Sequence, residues 1–228
     1  MADYKKIIPF IKRKEGGLSR RQTDSASKHP SPCTYKGVKG WHTNKGITWT
    51  TFVTQSHKLN YSASCSNFLT MPDEIWGKIF KQAYWDKFYL DEMKSQPIAD
   101  LIVGFAWGSG VYGAKKQLIK FLYNNYDINV TTNKEITQTI NKLTKTKKKE
   151  IILLNKLIEH KKNYLISLNQ PANIRGWLKR LEDYKDYAIQ HIGAKRLMGM
   201  FVGGMILTFT GITLLILKGG SGNEKTKS

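Results

Sequence analysis

The 228-residue chain carries 37 Lys and Arg against 17 Asp and Glu, a formal net charge of +20, with 40% hydrophobic and 11% aromatic residues. That apolar content excludes a disordered chain and supports a real core, either one compact domain or a catalytic unit with a smaller helical one. The charge calls for a polyanionic partner, and nucleic acid, anionic lipid and bacterial cell wall all qualify.

In chain order, residues 4–14 read as an amphipathic helix with Ile7, Ile8, Phe10 and Ile11 inward and Lys5, Lys6, Lys12 and Arg13 outward. Gly16-Gly17 is expected to end it in the usual manner of a glycine stop. Residues 18–48, rich in Ser, Thr, Gly, Pro and Lys, read as loop with short strands. Cys33 and Cys65 lie among His29, His42 and His57, without Cys-x-x-Cys or His-x-x-x-His spacing. They read as scattered loop residues, and no metal or cofactor is expected.

Helical period returns at residues 48–56. It returns strongly after Pro72, where Ile75, Trp76, Ile79, Phe80, Ala83 and Tyr84 mark one face of a helix expected to reach about Met93. Pro97 starts a further helix that Gly104, Gly108, Gly110 and Gly113 interrupt before an apolar helix over residues 114–123. The glycines lack the Gly-Lys-Ser/Thr ending of a phosphate loop, so close packing around a kink is expected. Helices follow over residues 132–143, 151–168 and 173–192, with a basic linker or solvated helix start at 142–149.

The first sixty residues hold only the carboxylates Asp3, Glu15 and Asp24, against twelve Lys and Arg. Glu15 at a helix end reads ordinarily as a cap or ion pair. Its setting points instead to glycosidic-bond chemistry, which needs one protonated carboxyl for the leaving oxygen and a second group for the anomeric carbon or a water. Asp24, on the following loop, is the candidate second carboxylate. Thr48 is a candidate to hold the attacking water, because a hydroxyl both donates and accepts. Tyr35 and Trp41 offer aromatic faces for sugar rings, and Trp49 reads equally as core.

Three segments carry a family resemblance: Glu15-Gly16-Gly17-Leu18, Asp24-Ser25-Ala26-Ser27, and Gly40-Trp41-His42-Thr43-Asn44-Lys45-Gly46-Ile47-Thr48. They resemble glycoside hydrolase family 108, bacterial and phage N-acetylmuramidases that include secretion-activator proteins. Pro97-Ile98-Ala99-Asp100, Phe105-Ala106-Trp107-Gly108-Ser109-Gly110, Gln117 and Gly176-Trp177-Leu178-Lys179-Arg180 resemble that family's helical peptidoglycan-binding region. The resemblance spans about residues 5–190. It implies hydrolysis of the bond between N-acetylmuramic acid and N-acetylglucosamine, with Glu15 as general acid. Thr43, Asn44, Lys45 and Trp107, which lie in these segments, are candidate substrate contacts beside Tyr35 and Trp41. An insertion over about residues 28–45 separates Asp24 from the Gly-Ile-Thr motif and leaves Thr48 and Thr43 both open as the water-positioning hydroxyl.

The expected fold is mainly α: a lysozyme-like α+β region with a short β/loop lobe over residues 1–95, a helical region over 96–194 packed on it, and a C-terminal transmembrane helix over 198–217 before a polar tail. The span rests on twenty uncharged residues, about 30 Å as a helix. Gly199 and Gly203 offer a small-residue pair for helix–helix self-association. The polar, basic N-terminus, with Pro9 breaking its apolar run, does not read as a secretory signal. The expectation is therefore a chain anchored in the bacterial inner membrane, with a phage-encoded lysis enzyme as one origin, peptidoglycan as partner and the bilayer as a second. The alternative is a non-catalytic, membrane-attached peptidoglycan-binding or secretion-accessory protein. Lys145–Lys149 comes without a helix-turn-helix, zinc-finger or RNA-binding signature, so nucleic acid is not expected.

Overall fold

The computed structural model describes residues 1–22 and 24–192. Helix α1, Tyr4–Lys14, begins where the Asp3 side chain accepts the Lys5 N–H and buries Ile7, Phe10 and Ile11. It ends without a left-handed glycine. Glu15 itself turns extended at φ −98°, ψ 136°, and neither Gly16 nor Gly17 has positive φ. The glycines instead lead directly into strand β1, Leu18–Ser19.

A single 3-10 turn, Ser25–Lys28, precedes the hairpin of β2, Thr43–Asn44, and β3, Ile47–Thr48. The three strands form an antiparallel sheet in the order β1-β2-β3, with Leu18 opposite Asn44 and Thr43 opposite Thr48. Lys45 and Gly46 link β2 to β3 at φ 47° and 79°, the doubly positive pair that suits a tight hairpin. The long segment between β1 and β2 is stapled by a Cys33–Cys65 disulfide with Cα atoms 5.2 Å apart. The two cysteines are thus a cross-link from this segment to the start of helix α3, and not scattered loop residues.

Helices α2, Trp49–Lys58, α3, Cys65–Leu69, and α4, Asp73–Phe80, follow the sheet. The expected helix to Met93 breaks after Phe80. A π turn at Lys81–Trp85 gives way to 3-10 turns at Asp86–Phe88 and Leu90–Glu92, with left-handed Tyr89 between them. The reason lies in the side chains. Continuing the Trp76, Phe80 and Ala83 face would bury Asp86 or Lys87, whereas the inserted turn buries Trp85 and then Phe88, Leu90 and Met93.

Helix α5, Gln96–Tyr126, is capped by Ser95 and buried on every side from Pro97 to Ala106, so it forms the axis of the molecule. Among its four glycines only Gly110, at φ 71° and ψ 159°, leaves the helical conformation. Gly104 serves close packing: a Cβ there would lie 2.4 Å from the Tyr184 ring. Around α5 stand α6, Asn133–Leu143, with a Thr132–Glu135 capping box, α7, Lys147–Ser167, and α8, Pro171–Ile192.

Met1–Ala188 forms one compact unit. Helices α1 and α8 are joined through Lys14–Asp183 at 2.6 Å and a Tyr187 hydroxyl that donates to the Lys6 carbonyl at 2.7 Å. The Phe10 ring lies 4.6 Å from that of Tyr184. The second unit, Ile189–Ser228, contributes only the last turn of α8 to the described residues. The apolar run 198–217 lies outside them, and among the described residues no helix is long and apolar enough to cross a membrane.

Gly104→Ala is expected to lower stability by about 1–3 kcal/mol, the usual effect of overpacking a tight contact. Chemical denaturation measures it, and an unchanged midpoint would show that Tyr184 moves aside freely.

Candidate active site

Glu15 stands where α1 stops, and three elements converge on its carboxyl. The Trp107 indole N–H of α5 donates to Glu15 Oε1 at 2.8 Å. The hairpin turn passes directly over the group: a Cβ at Gly46 would lie 2.7 Å from Glu15 Oε2 and 2.4 Å from the Trp107 ring. Gly46 is therefore required twice, by its positive φ and by this close approach. From α8 the Arg180 guanidinium reaches Oε1 at 3.6 Å, a long contact made by a side chain that is 43% exposed. The Glu15 side chain as a whole is 16% exposed, so the pairing does not seal it.

The indole is itself clamped. Trp107 packs against Trp76 at 5.7 Å, Phe80 at 5.4 Å and Tyr84 at 4.9 Å between ring centroids. Burial pushes the Tyr84 hydroxyl above its ordinary range, a hydrogen bond with Thr51 opposes this, and the Glu15 charge adds to it. Thr51 in turn meets Thr48, whose hydroxyl caps α2 by accepting the Thr51 N–H at 3.1 Å and donates to Thr51 Oγ1 at 2.9 Å. A chain of contacts thus runs from Thr48 through Thr51, Tyr84 and Trp107 to Glu15.

The remaining expected residues fall into two groups. Thr43, Asn44 and Lys45 are committed to holding the hairpin in place. Thr43 Oγ1 bonds the His42 ring at 2.9 Å, and the Asn44 amide donates to the Phe68 carbonyl at 2.6 Å. Lys45 Nζ donates to the Met71 carbonyl at 2.9 Å and to Asp73 at 3.0 Å. The ammonium groups of Lys12 and Lys45 hold the Asp73 carboxyl below the usual carboxylate range, so this residue ties α1, the hairpin and α4 together.

Tyr35 and Trp41 lie on the outer loop as an edge-on pair at 5.8 Å, with Tyr35 39% exposed. Asp24 is half-buried and caps the 3-10 turn by accepting the Ala26 N–H at 3.0 Å. Its backbone N–H donates to the Arg21 carbonyl, which the buried His42 ring also contacts at 3.2 Å.

On its other side Glu15 borders a cavity of about 200 Å³ between α1, α5, α7 and α8, whose walls include Trp107, Lys161, Tyr164, Trp177, Arg180 and Tyr184. Lys161, Tyr164 and Tyr184 carried no expected role. Lys161 could have been noticed, since it falls at helical spacing on the buried face of Leu154, Ile158 and Leu165. Its side chain is 7% exposed, with the ammonium 4.5 Å from the Phe105 ring centroid and 5.2 Å from that of Tyr184. Burial, aided by the Arg180 charge, pulls its pKa down to about 7.

The family model for Glycosyl hydrolase 108 matches residues 8–110. No curated protein matches the sequence. Among solved structures, that of Brucella abortus SagA is similar at 20% identity and a TM-score of 0.56, covering 82% of this chain and 94% of that one. At such identity the likeness is one of fold.

An unfolded Lys161 would keep its proton to about 10.5, while the folded one releases it near 7. Between those values the unfolded chain binds more protons, so this residue makes stability rise with pH across that window. Lys161→Met is therefore expected to unfold at a higher temperature than the unaltered chain near about pH 6, with the gap closing toward about pH 10. A gap that does not change with pH would contradict the burial of a charge at this position.

Proposed function

We propose that this chain is a peptidoglycan hydrolase of the N-acetylmuramidase type, cleaving the bond between N-acetylmuramic acid and N-acetylglucosamine. The observation that carries the reading is the setting of Glu15: a carboxyl fixed by one indole hydrogen bond, roofed by a glycine turn, and open to a cavity with aromatic walls. The match of residues 8–110 to Glycosyl hydrolase 108 supports the same chemistry.

In this mechanism Glu15 gives its proton to the bridging oxygen as the leaving sugar departs. Trp107 holds the carboxyl in one rotamer, because its N–H fixes Oε1 while the Gly46 turn confines Oε2. Asp24 serves the anomeric centre, directly or through a water, and Thr48 uses its remaining lone pair to orient that water. Tyr35 and Trp41 extend the sugar path along the outer loop. Thr43, Asn44 and Lys45 act through the hairpin that carries Gly46. The net charge of +20 draws the chain to an anionic wall. The apolar run 198–217 would hold this activity at a bilayer, in keeping with a bacterial or phage lysis enzyme.

A specific observation favours a second reading. Arg180 approaches the Glu15 carboxylate, as expected of a protein that binds wall glycan without cleaving it. Glu15→Gln separates the two, since it keeps the shape and removes the acid. Muropeptide release is expected to fall about 10²–10⁴-fold, with wall binding retained. Asp24→Asn is expected to lose about a hundredfold, the lower part of the same range. Unchanged release by Glu15→Gln would remove the general-acid assignment, and an unaltered chain that binds wall without turnover would establish the second reading.

A further inference from the structure

We propose that the cavity beside Glu15 is a carboxylate-binding site for the acidic branch of a muramic acid residue, with the Lys161 ammonium at its floor and the Arg180 guanidinium at its mouth. This rests on the wall-substrate reading and adds to it a recognition element supplied by α7 and α8.

Lys161 is the main evidence. Its side chain is more than nine-tenths buried, it lines the cavity, and among the described residues it meets aromatic rings but no hydrogen-bond acceptor and no carboxylate. An ammonium taken out of water without a counter-ion is costly, and a buried charge is ordinarily paired. The charges around it do not supply the missing partner. Lys14, Lys161 and Arg180 line the cavity against the single carboxylate of Glu15. Lys14 is paired with Asp183, and Arg180 reaches Glu15 only at 3.6 Å. The cavity therefore has a surplus of positive charge facing its interior.

Shape and walls narrow the ligand. About 200 Å³ is less than the roughly 300–1,000 Å³ of sites for drug-sized molecules, which suits a branch better than a whole disaccharide. Trp177, Tyr164 and Leu165 offer apolar contact to the methyl and methylene groups of such a branch. A carboxylate placed there accepts from Lys161 and from Arg180, both as charge-assisted bonds. In taking Arg180 it draws that side chain away from Glu15, so that filling the cavity and freeing the acid become one event. The carboxylate has two possible carriers: the lactyl group of a muramic acid without its peptide, and the peptide stem itself.

The test is a tryptophan-fluorescence titration of the full chain in a Glu15→Gln background with three probes. These are the N-acetylglucosaminyl–N-acetylmuramic acid disaccharide with a free lactyl acid, the same disaccharide bearing a tetrapeptide, and uncharged chitobiose. At least one acidic probe is expected to bind about tenfold or more tightly than chitobiose, the equivalent of about 1.4 kcal/mol. Whichever acidic probe is favoured identifies the carrier. Lys161→Met and Arg180→Gln are each expected to abolish that preference. Lys161→Met keeps the buried stem, and Arg180 is exposed, so an unfolded variant at one position leaves the other to decide.

Equal affinity for chitobiose, or a preference that survives both substitutions, would overturn the proposal. Selective binding by a chain that never cleaves wall would sink the hydrolase reading and leave this one standing. Turnover with unselective binding would do the reverse.

Discussion

The hydrogen bond from the Trp107 indole to the Glu15 carboxyl joins parts of the chain that are far apart in sequence. Glu15 ends the first helix, Trp107 lies 92 positions later on the central helix, and the Gly46 turn closes over both. Each partner is constrained from behind. The indole is gripped by Trp76, Phe80 and Tyr84, and the turn is fixed by Asn44 on the α3 carbonyls and Lys45 on Asp73. A carboxyl at the C-terminal end of a helix faces the negative end of the helix dipole, and Lys12, Arg13 and Lys14 of the last turn offset this. The β2–β3 turn of the small sheet sets Gly46 against the Glu15 carboxyl.

The far wall of the cavity beside Glu15 is built by the C-terminal helices α7 and α8. Tyr184 packs on Gly104 and on Phe10, bringing α8 against both α5 and α1. The same face of α8 carries Trp177, Arg180 and Leu181 to the cavity. Asp100 lies on the α5 side of this arrangement, where burial raises its carboxyl to about 8 while Gln96 donates to one oxygen at 2.7 Å. A neutral acid there lets α5 pass through the core without an isolated charge. Among the described residues Asp100 is thus a buried acid held neutral, whereas buried Lys161 borders open space.

Periodicity was a good guide wherever one face of a helix alone meets the core. Helix α1 begins and ends at the expected residues because Asp3 caps it and its apolar stripe is unbroken by Pro9, whose missing N–H falls within an exposed turn. The break after Phe80 was not legible, since it depends on whether Trp85 or Asp86 is the better residue to bury, a choice made by the packed neighbours. The Cys33–Cys65 pairing was hidden for a related reason: residues 32 apart reveal their distance only once the loop is folded over α3. Glu15 stood out by scarcity, one of three acids in a basic stretch. Asn44 and Lys45 were legible as special but not as structural, because sequence does not show that their side chains turn inward to backbone carbonyls. Lys161 was obscured by its neighbours Glu159, His160 and Lys162, which make the segment look solvated although position 161 belongs to the buried face.

The most direct measurement is mass spectrometry of peptidoglycan digested by the full chain, reading the sugar at each new reducing end. A carboxyl acting as an acid on the muramic acid–glucosamine bond, with water completing the reaction, predicts N-acetylmuramic acid at those ends. Reducing-end N-acetylglucosamine, an anhydro-muramic acid product formed without water, or no new ends at all would contradict the account.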